Sequence, residues 1–308
     1  MRLIFFGSPE FAQPSLERVA GEPGVEVSLV VSQPDRKVGR SRAVTSPPVA
    51  ELARRLGIPL LQPEAIRDPA FLERIRGESP DVFAVVAYGR ILPPALLAVP
   101  RFGGVNLHAS LLPRHRGASP VQAALLAGDP VTGVATMRMT AGLDEGPVYL
   151  HRHVRILPDD DAGSLSRRLS REGADLLAET LRGISTASLE ALPQEGEPSY
   201  CRTLRRTDGE VDWSRTADEI LRASRALSPW PGLFTYRNGE RIKILGARAG
   251  PESRGRAPGD LFESGGSVAV VCGSESSIVP VRLQREGKRP ASAEEFFRGL
   301  PPEGRFGR

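Results

Sequence analysis

Cysteine is scarce in this chain: Cys201 and Cys272 are the only two in 308 residues. Two such distant thiols make neither a disulfide framework nor a metal-like cluster, so a reducing compartment is expected. Long apolar runs are missing too; nothing approaches the ~18 residues of a membrane span. The opening Met1–Gly7 is too short for a signal peptide, and Gly7-Ser8-Pro9-Glu10 ends it as a turn. A cytoplasmic protein is therefore expected. Lysine is nearly absent, with Lys37, Lys243 and Lys288 alone, so arginine carries the positive charge. The net charge of +4 permits a nucleic-acid partner without requiring one. The few histidines are not spaced like a metal site with acids. A single Gly follows the first apolar run, not Gly-x-Gly-x-x-Gly, which argues against a dinucleotide site.

What is present reads as two domains, on a length prior of roughly 150 residues each. Arg2–Gly7, Val25–Val31, Pro59–Gln62, Asp81–Ala87 and Gly104–His108 are apolar runs suited to buried parallel strands. Helical spacing separates them, as in Val49, Leu52, Ala53 and Leu56. Gly133–Met139 and Val148–Ile156 alternate as half-exposed strands, with His151 and His153 on one exposed face. A long helix near Ala162–Arg182 follows, and then a Ser-, Thr-, Pro- and Gly-rich stretch. Beyond it, five short alternating runs between Leu233 and Leu283 are separated by Gly-rich turns, the pattern of a small barrel. The expected fold is α/β: a Rossmann-like open, mostly parallel sheet, then a small OB-like β-barrel. The expected boundaries are 1–186, a linker at 187–206, and 207–308. The residues from Pro301 are expected to fray.

Four stretches carry candidate chemistry. Asn106 and His108 are two apart, so a strand puts both on one face and Leu107 on the other. An amide donor beside an imidazole suits stabilising an oxyanion and moving a proton; the same pair could simply cap a strand end. Tyr88-Gly89-Arg90-Ile91-Leu92-Pro93 is a turn at the carboxyl end of the most apolar strand, where open parallel sheets bind ligands. Right-handed winding should set it beside Asn106 and His108. Gln33–Arg42 is a polar loop with four cations and one acid, longer than most α/β connections and without obvious partners for its charges, so it is expected to be mobile. Leu143-Asp144-Glu145-Gly146 places two acids in a turn after the alternating strand. Ser110 lacks a Gly-x-Ser-x-Gly elbow, so it is assigned to binding, not nucleophilic attack.

Taken together, Asn106-x-His108, Ser110-Leu111-Leu112-Pro113-x-x-Arg116-Gly117 and Leu143-Asp144-x-Gly146 resemble the folate-dependent formyltransferases. Gln33-Pro34-Asp35-Arg36, Val86–Pro93 and Pro229-Trp230-Pro231 extend the resemblance over nearly the whole chain. It implies transfer of a formyl group from 10-formyltetrahydrofolate to the α-amine of initiator methionyl-tRNA, without a metal. It implies catalysis by Asn106, His108 and Asp144, with Asp144 holding His108 in its charged form. Folate binding falls to Ser110, Leu111, Leu112 and Pro113, with a cis Leu112–Pro113 bond, and to Tyr88, Gly89, Arg90, Ile91 and Leu92. The loop at 35–42 would grip the acceptor stem of the tRNA, Arg40 at its end and Arg36, Lys37 and Arg42 on phosphates. A monomer with no obligate protein partner is expected. A formyltransferase acting on an amino sugar or a purine precursor would share the three catalytic residues without needing the basic loop. A non-catalytic RNA-binding protein would need none of them.

Overall fold

A computed structural model describes residues 1–38, 43–298 and 304–307. The chain divides into two compact units. Met1–Pro120, Val131–Arg155 and Ser166–Cys201 form the first; Val121–Pro130, Ile156–Leu165 and Arg202–Arg308 form the second. Among the described residues, no helix is long and apolar enough to cross a membrane.

The strands up to residue 201 are β1 (Arg2–Gly7), β2 (Glu26–Val31), β3 (Arg36–Val38), β4 (Ala43–Thr45), β5 (Leu60–Leu61), β6 (Val82–Val86), β7 (Gly104–His108), β8 (Arg116–Gly117), β9 (Val131–Arg138), β10 (Val148–Arg155) and β11 (Tyr200–Cys201). The helices over the same stretch are α1 (Gln13–Ala20), α2 (Pro48–Arg55), α3 (Pro69–Gly77), α4 (Pro94–Leu97), α5 (Pro120–Ala127) and α6 (Ala162–Ser185). Seven strands form one sheet in the order β10-β9-β7-β6-β1-β2-β5. The pairs from β7 to β5 are parallel; β9 runs antiparallel to β7, and β10 to β9. The mostly parallel sheet thus has an antiparallel edge. Its central strands are apolar throughout because both faces are covered. Leu3, Ile4, Phe5, Phe6, Phe83, Ala84 and Val105 are fully buried. A Cβ at Gly173 of α6 would lie 2.6 Å from the Leu107 side chain, so the glycine lets that leucine pack directly against the helix backbone.

Register sets the functional edge. Gly7 lies opposite Val86, and Val86 opposite Leu107, so β1, β6 and β7 end level. Ser8, Ala87 and His108 therefore share one rim. Ser8 does not cap a helix there. Its hydroxyl accepts from the Gln33 N–H at 3.2 Å and donates to the Tyr88 carbonyl at 3.5 Å, tying three strand ends together.

The segment expected to be a mobile loop is built differently at its base. β3 and β4 pair antiparallel, Arg36 against Thr45 and Lys37 against Val44. The acid expected to lack a partner has one: Asp35 accepts from Gln62 Nε2 at 2.6 Å.

The second unit adds α7 (Ala217–Ala226), β12 (Leu233–Arg237), β13 (Glu240–Ala249), β14 (Leu261–Ser264), β15 (Ser267–Val271), β16 (Ser277–Arg285), β17 (Ala291–Ser292) and α8 (Ala293–Phe297). All pairs are antiparallel, in the order β12-β13-β16-β15-β14 with β17 on β16. The tail does not fray over residues 304–307. Leu261 N–H donates to Gly304, Phe306 N–H to Gly259 and Gly307 N–H to Tyr236, at 2.9, 2.8 and 2.9 Å. This stitches the two ends of the sheet together. Phe306 is 1% exposed, in the same core as Trp213, Ile242 and Phe297; the gain from burying that ring outweighs the entropy of a free terminus.

Candidate active site

Asn106 and His108 point to the same face at the end of β7, as their spacing requires. The Asn106 side chain is half-buried and, among the described residues, makes no hydrogen bond. His108 is 6% exposed. Its Nε2 lies 3.0 Å from the His115 carbonyl oxygen. A carbonyl only accepts, so Nε2 carries a proton and the neutral ring keeps its lone pair on Nδ1. That Nδ1 faces Asp144 Oδ2 at 3.6 Å, too long for a direct hydrogen bond.

Asp144 arrives by an indirect route. β9 leaves the sheet at the far end, Arg138 lying opposite Val105, so the loop to β10 must double back to reach His108. Asp144 sits in the left-handed region, φ 52°, a conformation uncommon outside glycine and one that Asp and Asn tolerate best when their side chains are hydrogen-bonded. Such a bond is present: the Gly117 N–H donates to Asp144 Oδ2 at 2.8 Å. Gly117 itself is at φ 115°, and a Cβ there would lie 2.1 Å from the Cys201 carbonyl oxygen.

The electrostatics reverse one expectation. Burial lowers the His108 pKa, and this outweighs the raising effects of Asp144 and of the bond to the His115 carbonyl. The imidazole is neutral at neutral pH, not held charged by Asp144. Sequence showed the carboxylate but not the depth of the ring.

The folate candidates sort by where their side chains go. Ser110 is fully buried, and its hydroxyl donates to the Arg114 carbonyl at 2.6 Å, closing the turn from inside. Leu112–Pro113 is cis. Leu112 and Pro113 are buried and Leu111 half-buried; His151 Nε2 donates to the Leu112 carbonyl at 3.1 Å. The side chains of Tyr88 and Leu92, which the resemblance gives to the folate, turn away from the surface. Both are buried in the core, Tyr88 edge-on to Phe6, because the turn folds its large side chains inward. Gly89 and Ile91 are the exposed members, Ile91 at 73%. Arg90 is tied back to the Pro63 and Glu64 carbonyls. The Leu111 and Ile91 side chains with the backbone of both turns thus offer apolar surface and peptide groups along one rim, which suits a flat heteroaromatic ring.

Of the basic loop, Arg36 is exposed and donates to Gln33 Oε1 at 2.8 Å. Gln33 Nε2 in turn donates to the Tyr88 carbonyl at 2.8 Å, so the base of the hairpin adjoins the rim. Arg40, Arg42 and the Lys37 side chain lie outside the described residues. Among the described residues, no group of His, Cys, Asp and Glu could hold a metal ion.

Sequence reasoning missed the groups that brace the site from residues 194–201. Ser199 Oγ accepts from the His115 N–H at 2.8 Å, β11 pairs with β8, and Gln194 donates to the Asp144 and Gly146 carbonyls. That stretch is mostly polar, with no periodicity to mark it as structural.

Comparison with known proteins shows the family. The family described as Formyl transferase matches residues 1–181, and Formyl transferase, C-terminal domain, matches 203–301. The methionyl-tRNA formyltransferase of Pelotomaculum thermopropionicum is 43% identical over 307 residues, covering 99% of this chain and 97% of that protein. The protein of the same name from Thermus thermophilus is 42% identical over 299 residues, covering 97% and 96%. A solved N-formyltransferase from Helicobacter canadensis, in complex with folinic acid and dTDP-3-aminofucose, superposes with TM-score 0.65 at 18% identity, covering 92% of this chain and 98% of that one. At that identity the likeness shows a shared fold.

Proposed function

The chain belongs to the formyltransferase family, and from that premise we propose how it carries out the reaction of its methionyl-tRNA formyltransferase relatives. It transfers the formyl group of 10-formyltetrahydrofolate to the α-amine of methionine on initiator tRNA. The amine nitrogen forms a bond to the formyl carbon, the bond from that carbon to the folate nitrogen breaks, and the amine loses a proton.

One observation carries the assignment of roles: both His108 nitrogens are accounted for. Nε2–H is held by the His115 carbonyl, so Nδ1 is the basic atom, and it faces the Asp144 carboxylate. His108 therefore takes the proton of the attacking amine at Nδ1. Asp144 stabilises the imidazolium that results, and the ring then passes the proton on to the departing folate nitrogen. Asn106, whose amide makes no hydrogen bond among the described residues, donates to the formyl oxygen as it gains negative charge; removing such a donor typically costs ~10²–10³ in rate. The Ser110–Pro113 turn and the Gly89–Ile91 rim seat the donor. Arg36, Lys37, Arg40 and Arg42 hold the tRNA, whose phosphates favour a guanidinium's paired donors.

The experiment offers purified protein and 10-formyltetrahydrofolate three acceptors: methionyl-tRNA, free methionine amide and an amino-sugar nucleotide. Formylation confined to methionyl-tRNA is expected. Preference for either small amine, or no transfer, overturns the acceptor assignment.

A further inference from the structure

Gln194 has every polar atom of its side chain engaged, all toward the catalytic loop or the strand beside it. Its Nε2 donates to the Asp144 carbonyl and to the Gly146 carbonyl, each at 2.8 Å. Its Oε1 accepts from Arg116 Nε at 3.1 Å and Nη2 at 2.8 Å. The orientation of the amide is fixed by its partners, because two carbonyls demand its donors and a guanidinium demands its acceptor. Arg116 is itself braced, its Nη1 donating to the Tyr200 hydroxyl at 3.1 Å and lying 3.8 Å from Glu145 Oε1. The next residue, Gly117, gives its N–H to Asp144. The backbone around Gln194 is anchored in turn, Leu192 and Val148 exchanging two N–H···O bonds at 2.7 and 2.8 Å.

This network answers a mechanical question. Asp144 belongs to a loop that doubles back from the far end of the sheet, and it sits at a positive φ. A positive φ persists where the surrounding structure over-determines it, so the backbone here needs contacts of its own as well as the side-chain bond. Gly117 holds the side chain. Among the described residues, Gln194 alone donates side-chain hydrogen bonds to the carbonyls on either side of Glu145, and so holds the backbone.

We propose that Gln194 is a positioning residue for the formyl transfer, clamping the loop at 144–146 to Arg116 so that the Asp144 carboxylate stays opposite His108 Nδ1. The proposal rests on the reading of His108 and Asp144 given above. Gln194 touches no reacting atom and acts only through Asp144.

The test is a double-mutant cycle on the full chain, in single turnover with saturating 10-formyltetrahydrofolate and methionyl-tRNA. Gln194→Met keeps the length and loses all four hydrogen bonds. Gln194→Glu keeps the acceptor for Arg116 and loses both donors to the loop. Each should slow turnover roughly 10- to 100-fold, the range set by small misplacements of a catalytic group. The KM for either substrate should stay within about twofold. Neither should slow Asp144→Asn further, since a clamp has nothing left to position there. A wild-type rate in Gln194→Glu, a lowered Tm with an unchanged rate, or a fully multiplicative loss in the Asp144→Asn background overturns the clamp and leaves the site assignment standing. A wild-type rate in Asp144→Asn itself removes the site assignment and the clamp together.

Discussion

Asp144→Asn isolates the charge opposite His108 with little change in shape. The Asn oxygen still accepts from the Gly117 N–H, which the Asp144 carboxylate does at 2.8 Å, so the loop should hold its course. What is lost is the carboxylate 3.6 Å from Nδ1; unit charges at that separation and an effective dielectric near 20 attract by about 4 to 5 kcal/mol. In the free protein the attraction is idle, because burial keeps His108 neutral. It appears as the amine's proton moves to Nδ1, and only in part, since the transfer is incomplete at the transition state. Taking about 3 kcal/mol as realised predicts a fall in kcat of roughly 10². Substrate affinities should hold, because the interaction is absent before the chemistry starts. The assay is rapid-quench formylation of methionyl-tRNA with both substrates saturating, beside a thermal melt. A kcat within about threefold of wild type refutes the reasoning, as does a loss confined to KM.

Three further outcomes follow from the same structure. Because burial lowers His108 below its ordinary value of about 6.5, kcat should rise with pH as His108 and the amine lose their protons, and hold level above. A falling limb between about pH 6.5 and 8 in the pH–rate profile would mean the imidazolium is the starting form. Charge reversal by Arg40→Glu should raise the KM for tRNA, steeply at low salt, and leave the donor KM alone; unchanged tRNA kinetics contradict the role given to the basic loop. Phe306→Ala should cost about 3–5 kcal/mol in chemical unfolding of the second unit, since a core ring is lost and the stitch between Gly259 and Tyr236 loosens; a change under about 1 kcal/mol shows that the tail is dispensable.

The chain was legible where short-range pattern decides structure. The alternation of Asn106, Leu107 and His108 fixed which side chains share a face, and apolar runs without polar interruptions marked the strands that end at the functional rim. Asp144 stood out as an acid in a glycine-flanked turn, although the path that brings it back to His108 depends on pairings 27 to 50 residues away with Gly117 and Gln194. Protonation was illegible for a related reason. Whether His108 is charged turns on its depth, and depth is a property of everything packed above the ring. The resemblance implied folate contacts for Tyr88 and Leu92, yet both side chains pack into the core, and a turn between buried strands has no fixed inward side until that core is built. Gln194 and Phe306 lie in stretches whose composition suggests a linker and a frayed end; each is held by partners that local sequence cannot reveal.

The central claim is that Asn106, His108 and Asp144 perform the transfer while the basic loop only holds the tRNA. Its most direct test is single-turnover formylation by His108→Ala and Asn106→Ala at saturating methionyl-tRNA and 10-formyltetrahydrofolate, with tRNA binding measured on the same preparations. The account predicts losses of at least ~10² in the rate of each variant with tRNA affinity unchanged. Near wild-type rates, or losses matched by weakened tRNA binding, would contradict it.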